Sequence, residues 1–260
     1  MHTPLTRERV EMKKKVTLGV SVFVVLGLIA TAVFWWVSQK EANAAGTRRD
    51  THVTTVQLKI TNLGGSCSGV FVGPDLILTA KHCVTRSYSN YYAPSPEHLQ
   101  VAARNIEVYA SHMNRGGKVL GVAQVIWAQP GDWARNPDVA LLRISGYRTN
   151  NYASVSSAKV NVGERLEVCG MNDMTRQRFD ANYPRDYNYC GDIQAAEVQS
   201  WGNYFIMSRS VTAPGDSGGP LYNSRNQVVG LVAGGNVTTQ SSASLYPVLG
   251  QLKARGVVVR

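Results

Sequence analysis

The stretch A-P-G-D-S-G-G-P at residues 213–220 decides how the rest of the chain is interpreted. A serine hydroxyl becomes a useful nucleophile when a base takes its proton and hydrogen-bond donors await the oxyanion that forms. Ser217 can attack, and the N–H groups of Gly215 and Ser217 can converge on one point, because Gly215 has no Cβ to resist an unusual backbone angle. A glycine-rich turn with a serine is often only a turn. The interpretation therefore depends on a histidine and an aspartate upstream.

Both groups occur upstream, each beside an apolar, strand-like run. L-I-L-T-A-K-H-C at 76–83 places His82 directly after one run, and N-P-D-V-A-L-L-R-I at 136–144 places Asp138 at the head of another. With these residues the chain resembles the chymotrypsin-like serine proteases of the trypsin fold. The family's motifs match as T-A-K-H-C, D-V-A-L-L and G-D-S-G-G-P, in the family's order, and the resemblance covers residues 52–260.

The resemblance implies a serine endopeptidase that hydrolyses peptide bonds through an acyl-enzyme intermediate. Ser217 is then the nucleophile, and His82 is the base that takes its proton and later protonates the leaving amine. Asp138 holds the histidine tautomer and stabilises the imidazolium. The N–H groups of Gly215 and Ser217 form the oxyanion hole.

Other residues compete for these roles on weaker grounds. Asp132 precedes Asp138 by six residues but lacks the apolar strand that follows Asp138. No family motif flanks His52, His98 or His112, so we expect these histidines on the surface or in loops.

The pattern beyond residue 52 predicts an all-β fold. Short apolar runs alternate with Gly, Pro and Asn turns, as in sandwiches and barrels. The resemblance sharpens this to two six-stranded antiparallel β-barrels, near 52–150 and 151–245, with the catalytic groups in the cleft between them. The predicted strands are 53–60, 70–72, 76–78, 119–127, 139–144, 165–169, 204–208, 220–222 and 228–233, and a C-terminal helix spans 247–255.

The N-terminal region predicts a membrane anchor. Residues 1–15 are polar and basic, and residues 16–37 form an uncharged stretch of 22 residues that ends in Phe34, Trp35, Trp36 and Val37. As a helix, such a stretch spans a bilayer, with the basic flank in the cytoplasm and the protease domain outside. Residues 38–51 then form a linker. The alternative is a signal peptide cleaved near Ala44, since Ala42-Asn43-Ala44 has the small-x-small form, and the protein is then secreted.

Four cysteines in an exported chain predict two disulfides, for which three pairings exist. The family's bridge beside its catalytic histidine implies the pair Cys67–Cys83. Cys169 and Cys190 then form a second bridge, which has no close counterpart in the commonest family pattern. A zinc site is the rival interpretation, but the chain has no C-x-x-C pair, and we expect neither a metal nor a cofactor.

Specificity is inferred by resemblance. Val211 and Thr212 fall at the floor of the pocket for the P1 residue, the substrate residue before the cleaved bond. No acid stands there, which disfavours Lys or Arg at P1. Val232 takes a place where Gln- or Glu-specific relatives often carry a histidine, so we expect a small or medium apolar P1 residue. The predicted substrate-binding residues are Val211, Thr212, Val232, Ala233, Gly234, Gly235 and Ser244.

Charge and motifs restrict the partners. The chain has 27 Lys and Arg against 17 Asp and Glu, a net charge of +10, which can favour acidic substrates or an anionic surface. No nucleic-acid motif accompanies this charge. We expect a monomer that acts on protein or peptide substrates. Nothing before Val53 matches the family's Ile-Val-Gly-Gly activation terminus, so we expect no zymogen cut.

Two alternatives to a general protease remain. One is an esterase or a peptidase that serves a single dedicated protein. The other is a binding module that has lost catalysis. Such homologues usually lack a triad residue or the glycine before Asp-Ser, whereas His82, Asp138, Gly215 and Ser217 are all present here.

Overall fold

A computed structural model of the chain describes residues 54–61, 65–84, 106–110, 118–131, 136–171, 189–195, 197–200, 204–236 and 238–260. All of them belong to one of two units, Ala45–Arg260. The other unit, Met1–Ala44, and with it the predicted anchor at 16–37, lies outside the described residues. Within the described ranges no helix has the length and apolar character needed to cross a membrane.

The first half of the unit is a closed barrel of antiparallel strands. Its strands are β1 Thr55–Ile60, β2 Gly65–Phe71, β3 Leu76–Thr79, β4 Ile106–Tyr109, β5 Val119–Ala128 and β6 Ala140–Ser145. They pair in the order β1-β2-β3-β6-β5-β4, with β1 also bonded to β4. Leu58, Ile77 and Leu142 are completely buried in its core. The six-stranded first barrel is therefore as predicted.

The second half is a seven-stranded antiparallel sheet. Its order is β8-β7-β11-β12-β13-β10-β9. The strands are β7 Arg165–Gly170, β8 Tyr189–Gln194, β9 Glu197–Ser200, β10 Tyr204–Arg209, β11 Pro220–Tyr222, β12 Val228–Gly235 and β13 Thr239–Ser244.

The prediction of a second six-stranded barrel needs correction. The two outermost strands, β8 and β9, are successive stretches of chain with only residues 195 and 196 between them. β8 pairs with β7, whereas β9 pairs with β10. At the break, the N–H of Ala195 donates to Glu164 O, and its carbonyl accepts from Gly163 N–H. One long stretch thus changes partner and counts as two strands, and the sheet curls so that its ends follow each other in sequence.

The two halves share a core. Val70 and Leu78 of the barrel pack in the same buried cluster as Leu231 of the second sheet. Tyr222 adds a polar link, because its buried hydroxyl lies 2.8 Å from Oγ1 of Thr54. Burial raises the pKa of Tyr222 to about 12, so this phenol stays neutral.

The predicted C-terminal helix is present but shorter. A 3₁₀ turn at Tyr246–Val248 leads into α1, Leu249–Lys253, and the chain leaves the helical region at Gly256 with φ 87°. Leu252 is completely buried and anchors α1 on the shared core.

Candidate active site

His82 and Asp138 meet because the strands that carry them are neighbours. His82 lies in a 3₁₀ turn, Lys81–Cys83, just after β3, and Asp138 lies two residues before β6. β3 and β6 are antiparallel with Thr79 opposite Ala140, so the end of one strand adjoins the start of the other. Strand register therefore places the histidine beside the carboxylate.

The carboxylate of Asp138 holds His82 at two points. Oδ2 lies 2.5 Å from Nδ1 of the ring, and Oδ1 accepts the backbone N–H of His82 at 2.8 Å. The Asp138 side chain is 4% exposed and the His82 side chain 18% exposed. This arrangement commits Nδ1 to the aspartate and leaves Nε2 as the ring nitrogen that can serve a nucleophile.

Opposing influences act on the imidazole. Burial lowers the pKa of His82, but the charge of Asp138 and its hydrogen bond raise it, and the adjacent Lys81 lowers it slightly. The net effect raises the pKa of His82 above its ordinary value of 6.5. The imidazolium that a general base becomes is thus stabilised here.

The Ser217 loop, residues 213–219 between β10 and β11, is closed by its own hydrogen bonds. Asp216 is completely buried, its Oδ2 accepts the Ala213 N–H at 2.9 Å, and its own N–H donates to Ala213 O at 3.0 Å. Gly219 N–H donates to Asp216 O at 2.8 Å. Gly170 of β7 lies against the Asp216 carboxylate so closely that a Cβ there would collide with it. Asp216 is therefore a structural residue of the loop.

Residues from both halves of the unit form hydrogen bonds to this loop. The N–H of Ser68 in β2 donates to Ser217 O at 2.7 Å, and the Gly218 N–H donates to Val232 O in β12 at 2.8 Å. Gly218 has φ 80°, and a Cβ at that position would collide with Thr79 Oγ1 and Ser68 O. The loop therefore fits against the barrel only with glycine at this position.

Two backbone donors in the loop have no acceptor among the residues that the structure describes. In the part of the chain that the structure describes, neither the Gly215 N–H nor the Ser217 N–H donates to another residue. Gly215 has φ 100°, a conformation that favours glycine. Ser217 itself is partly exposed. Two available N–H groups beside an accessible serine are the donor set that acyl transfer requires.

Comparison with known proteins identifies the family of this chain. A family model for trypsin matches residues 44–248. The chain belongs to the trypsin family. The glutamyl endopeptidase of Staphylococcus epidermidis is 30% identical over 191 residues, which are 70% of this chain and 58% of that protein. The glutamyl endopeptidase of Staphylococcus aureus MRSA252 is 24% identical over 203 residues, 75% of this chain and 49% of that protein. The chain thus spans 49–58% of the length of these two relatives.

Solved structures share the trypsin-type fold. The Rv3671c protease from M. tuberculosis, in its active form, matches with a TM-score of 0.55 at 21% identity, over 80% of this chain and 83% of that one. Neuropsin, a serine protease expressed in the limbic system of mouse brain, matches with a TM-score of 0.53 at 16% identity, over 81% of this chain and 97% of that one. At these identities the likeness concerns the fold alone.

The strand predicted to bind substrate is accessible where that role requires it. At Val232, β12 bonds to the Ser217 loop, since the Val232 N–H donates to Gly219 O at 2.8 Å. Beyond Val232, Ala233 lies at a β-bulge, and Gly234 and Gly235 pair only with β13 among the described strands. Ala233 is partly exposed, and Gly234 and Gly235 are exposed. Three residues of β12 therefore have a free side.

The predicted P1-pocket residues are mostly covered. Val211 is 1% exposed and packs in an apolar cluster of the second sheet, and Ser244 is 3% exposed with its Oγ accepting from Tyr246 N–H at 3.3 Å. Thr212 is partly exposed, and its Oγ1 donates to Oε1 of Gln240 at 3.1 Å. The sequence analysis missed Gln240, which is completely buried and orients Thr212.

Both predicted disulfides are formed, Cys67–Cys83 and Cys169–Cys190. The first ties β2 to the turn with His82, and its sulfurs lie within 4.8 Å of a His82 ring nitrogen. Sulfurs bonded to each other are not the thiolates that a metal takes as ligands. The second joins residues directly opposite each other in β7 and β8.

Sequence reasoning also missed two buried polar groups of the barrel. Lys81 is 5% exposed, and its Nζ donates to Gly131 O at 2.7 Å. Ser68 is completely buried beneath the Ser217 loop. Buried residues of these types are uncommon and need partners, but nothing in the sequence indicates burial at either position. The alternatives His52, His98, His112 and Asp132 lie outside the described residues.

Proposed function

We propose that this member of the trypsin family is a serine endopeptidase with Ser217, His82 and Asp138 as its triad. The observation that carries the proposal is the pair of hydrogen bonds by which the Asp138 carboxylate contacts His82, at ring Nδ1 and at the backbone N–H. A merely structural ion pair has no need to fix the ring and its main chain together. This hold orients an imidazole as a general base.

The proposed roles define the reaction. Ser217 Oγ attacks the scissile carbonyl while its proton passes to Nε2 of His82, and the imidazolium then protonates the leaving amine. Water then attacks the carbonyl of the acyl-enzyme while its proton passes to His82, and the acid product leaves Ser217. The unengaged N–H groups of Gly215 and Ser217 receive the oxyanion at each tetrahedral stage.

The free side of β12 is the proposed substrate-binding edge. An extended peptide can add to Ala233–Gly235 as a further strand, with main-chain hydrogen bonds supplying affinity. We propose a small or medium apolar P1 residue, because Val211, Thr212 and Val232 bring no charge to the predicted pocket. The relatives named glutamyl endopeptidase favour Glu at P1 as the second candidate.

The proposed location is outside the cytoplasm, which suits the two disulfides. We propose that residues 16–37 anchor the chain as a single span, with cleavage near Ala44 as the alternative, and that the enzyme acts as a monomer. The full chain should then remain with the membrane fraction after alkaline washing and give a monomer mass by light scattering in detergent. Recovery of a soluble form that begins at Ala45 contradicts anchoring.

A fluorophosphonate probe tests the catalytic proposal on the full chain. The reaction forms a bond between Ser217 Oγ and phosphorus, releases fluoride, and passes the hydroxyl proton to His82. We expect labelling of the native protein and none of Ser217→Ala, with Ser156→Ala labelled like the native protein. Absence of labelling in a folded native chain contradicts the proposal and favours a binding module.

A peptide library then reads the P1 residue. Cleavage after small or medium apolar residues supports the proposed pocket. Cleavage confined to Glu replaces it with the specificity that the relatives' names carry, and a chain that is labelled but cleaves no peptide is an esterase or a protease for one dedicated protein.

A further inference from the structure

Ser68 connects the barrel to the loop through its main chain. It lies in β2, opposite Gln57 of β1, and it is completely buried. Its N–H donates to Ser217 O at 2.7 Å, and its carbonyl accepts from Thr79 Oγ1 at 2.8 Å. Any residue could supply these backbone groups, so they do not explain the serine.

The hydroxyl of Ser68 makes two further bonds. Its Oγ donates to Gly215 O at 3.0 Å and accepts from the N–H of Met171, just beyond β7, at 3.0 Å. A serine hydroxyl has one proton to donate. Since the Met171 N–H occupies a lone pair, that proton is directed at the Gly215 carbonyl. One buried hydroxyl thus bridges β2, the end of β7 and the loop.

Gly215 needs such an external constraint. A glycine reaches φ 100° easily, but it leaves that conformation as easily, because nothing on its own Cα restricts rotation. On one side the loop is fixed by the bond from Ala213 N–H to Asp216 Oδ2. On the other side, the bond from Ser68 Oγ fixes the carbonyl of Gly215 itself.

We propose that Ser68 is a positioning residue for the oxyanion hole: its hydroxyl fixes the carbonyl of the peptide between Gly215 and Asp216 and so restrains ψ of Gly215, one of the two rotations on which the direction of the Gly215 N–H depends. The inference rests on the proposed function, because it concerns the same hole. Ser68 touches no substrate. Its loss should therefore weaken stabilisation of the developing oxyanion and leave the binding of the unreacted probe unchanged.

The test uses saturation kinetics of the fluorophosphonate on the full chain. The rate at saturation, kinact, reports the step in which the phosphoryl oxygen enters the hole, and KI reports binding before reaction. For Ser68→Ala we expect kinact to fall about tenfold, equal to about 1.4 kcal/mol of transition-state stabilisation, with KI within about twofold.

Ser156→Ala is the matched control. Ser156 is also a buried serine, and its Oγ also accepts a backbone N–H, that of Ala158, at 3.2 Å. Within the described part of the chain it makes no hydrogen bond to the Ser217 loop. We expect a comparable loss in melting temperature and an unchanged kinact. If Ser68→Ala does not fold, Ser68→Gly, which also removes the hydroxyl and leaves space for a water beside the Met171 N–H, should show the same fall.

The outcomes separate the two proposals. A native chain that reacts, together with a Ser68 variant whose kinact matches that of Ser156→Ala, overturns the positioning role and leaves the protease intact. A fall in kinact with an equal rise in KI also overturns it, because that pattern indicates general distortion. A folded native chain that never reacts overturns the proposed function, and the positioning role with it.

Discussion

The barrel and the second sheet hold their parts of the site by different means. In the barrel, His82 and Asp138 stand at adjoining ends of β3 and β6, where register alone brings them together. In the second sheet, Ser217 lies in a loop between strands, with glycines at φ 100° and φ 80° on either side. Hydrogen bonds from residues outside the loop position Ser217, as strand register positions His82 and Asp138 in the barrel.

This difference teaches where each half is vulnerable. Register is fixed by many side chains, because a slip by one residue would turn the whole buried face of a strand outward. The loop depends on a few bonds, of which those from Ser68 and Val232 come from opposite sides. We therefore expect isosteric changes of His82 or Asp138 to affect chemistry with little effect on folding, whereas changes around the loop affect both.

Replacement of Asp138 by Asn is the strongest test of the barrel side. Asn keeps the size of the side chain but offers an N–H₂ group where the carboxylate accepts, so it favours the wrong tautomer of His82. We expect the phosphonylation rate to fall on the order of 10⁴-fold with the melting temperature nearly unchanged. Stopped-flow and manual labelling assays measure the phosphonylation rate, and calorimetry measures the melting temperature.

Asp75→Asn provides the comparison for that variant. Asp75 lies between β2 and β3 of the same barrel and forms an ion pair with Arg148 at 3.4 Å. It has no proposed part in catalysis. Its rate should stay within about twofold of the native value, because exposed ion pairs contribute roughly 0–1 kcal/mol. A loss below tenfold in Asp138→Asn contradicts its assignment to the triad.

The two disulfides sharpen the comparison at intermediate effect. They close loops of similar sequence separation, 16 and 21 residues, so replacing each cysteine pair by alanines should cost about 3 kcal/mol of unfolding free energy in either case. Their effects on rate should differ. Cys67–Cys83 restrains a 3₁₀ turn that lies outside the strand pairings of the described residues, and its loss should slow phosphonylation about 10- to 100-fold.

Loss of Cys169–Cys190 should leave the rate within about threefold when the protein is folded, since β7 and β8 remain paired over six positions around it. Denaturant unfolding and labelling at 15 °C measure the two quantities separately. Equal rate losses in both double variants would contradict this distinction. They would mean that the β7–β8 pair depends on its disulfide as much as the turn with His82 does.

The sequence predicts more strands of the barrel than of the second sheet, because more of the barrel strands carry an apolar pattern. β1, β3 and β6 have apolar, β-branched runs, so periodicity reveals them. β13 reads T-Q-S-S-A-S, yet Gln240 and Ser242 are completely buried in it. Gln240 Nε2 donates to Ser242 Oγ at 3.2 Å within the strand, and Gln240 Oε1 accepts from Thr212 Oγ1 at 3.1 Å, a contact that only tertiary pairing creates. No local pattern could have indicated that strand.

The site divides in the same way. Motifs predict His82, Asp138 and Ser217, and the structure brings the first two into contact. Ser68 and Lys81 escape prediction because their partners, Gly215 and Gly131, are distant in sequence and are backbone carbonyls. A carbonyl has no residue type, so a sequence carries no sign of which one a buried donor will meet.

Lys81 gives the smallest expected effect and tests how finely the barrel tunes its base. Among the charged groups that act on the imidazole in the described residues, Asp138 raises the pKa of His82 and Lys81 lowers it, the latter most weakly of the named influences. Catalysis by the proposed triad needs neutral His82, so we expect the rate to fall as the pH drops through that pKa. Lys81→Met removes a lowering influence and should move the acidic limb of the pH–rate profile to higher pH.

Lys81→Arg separates charge from packing in this experiment. Arg retains the positive charge and can still donate to Gly131 O, so its acidic limb should stay at the native pH. The Met variant also leaves that carbonyl without its donor, which should lower stability by about 1–3 kcal/mol without moving the limb by itself. A limb that moves to lower pH in Lys81→Met, or equally in both variants, would mean that the lysine acts through the shape of the turn. The barrel would then place its base by geometry alone, as the second sheet places its serine.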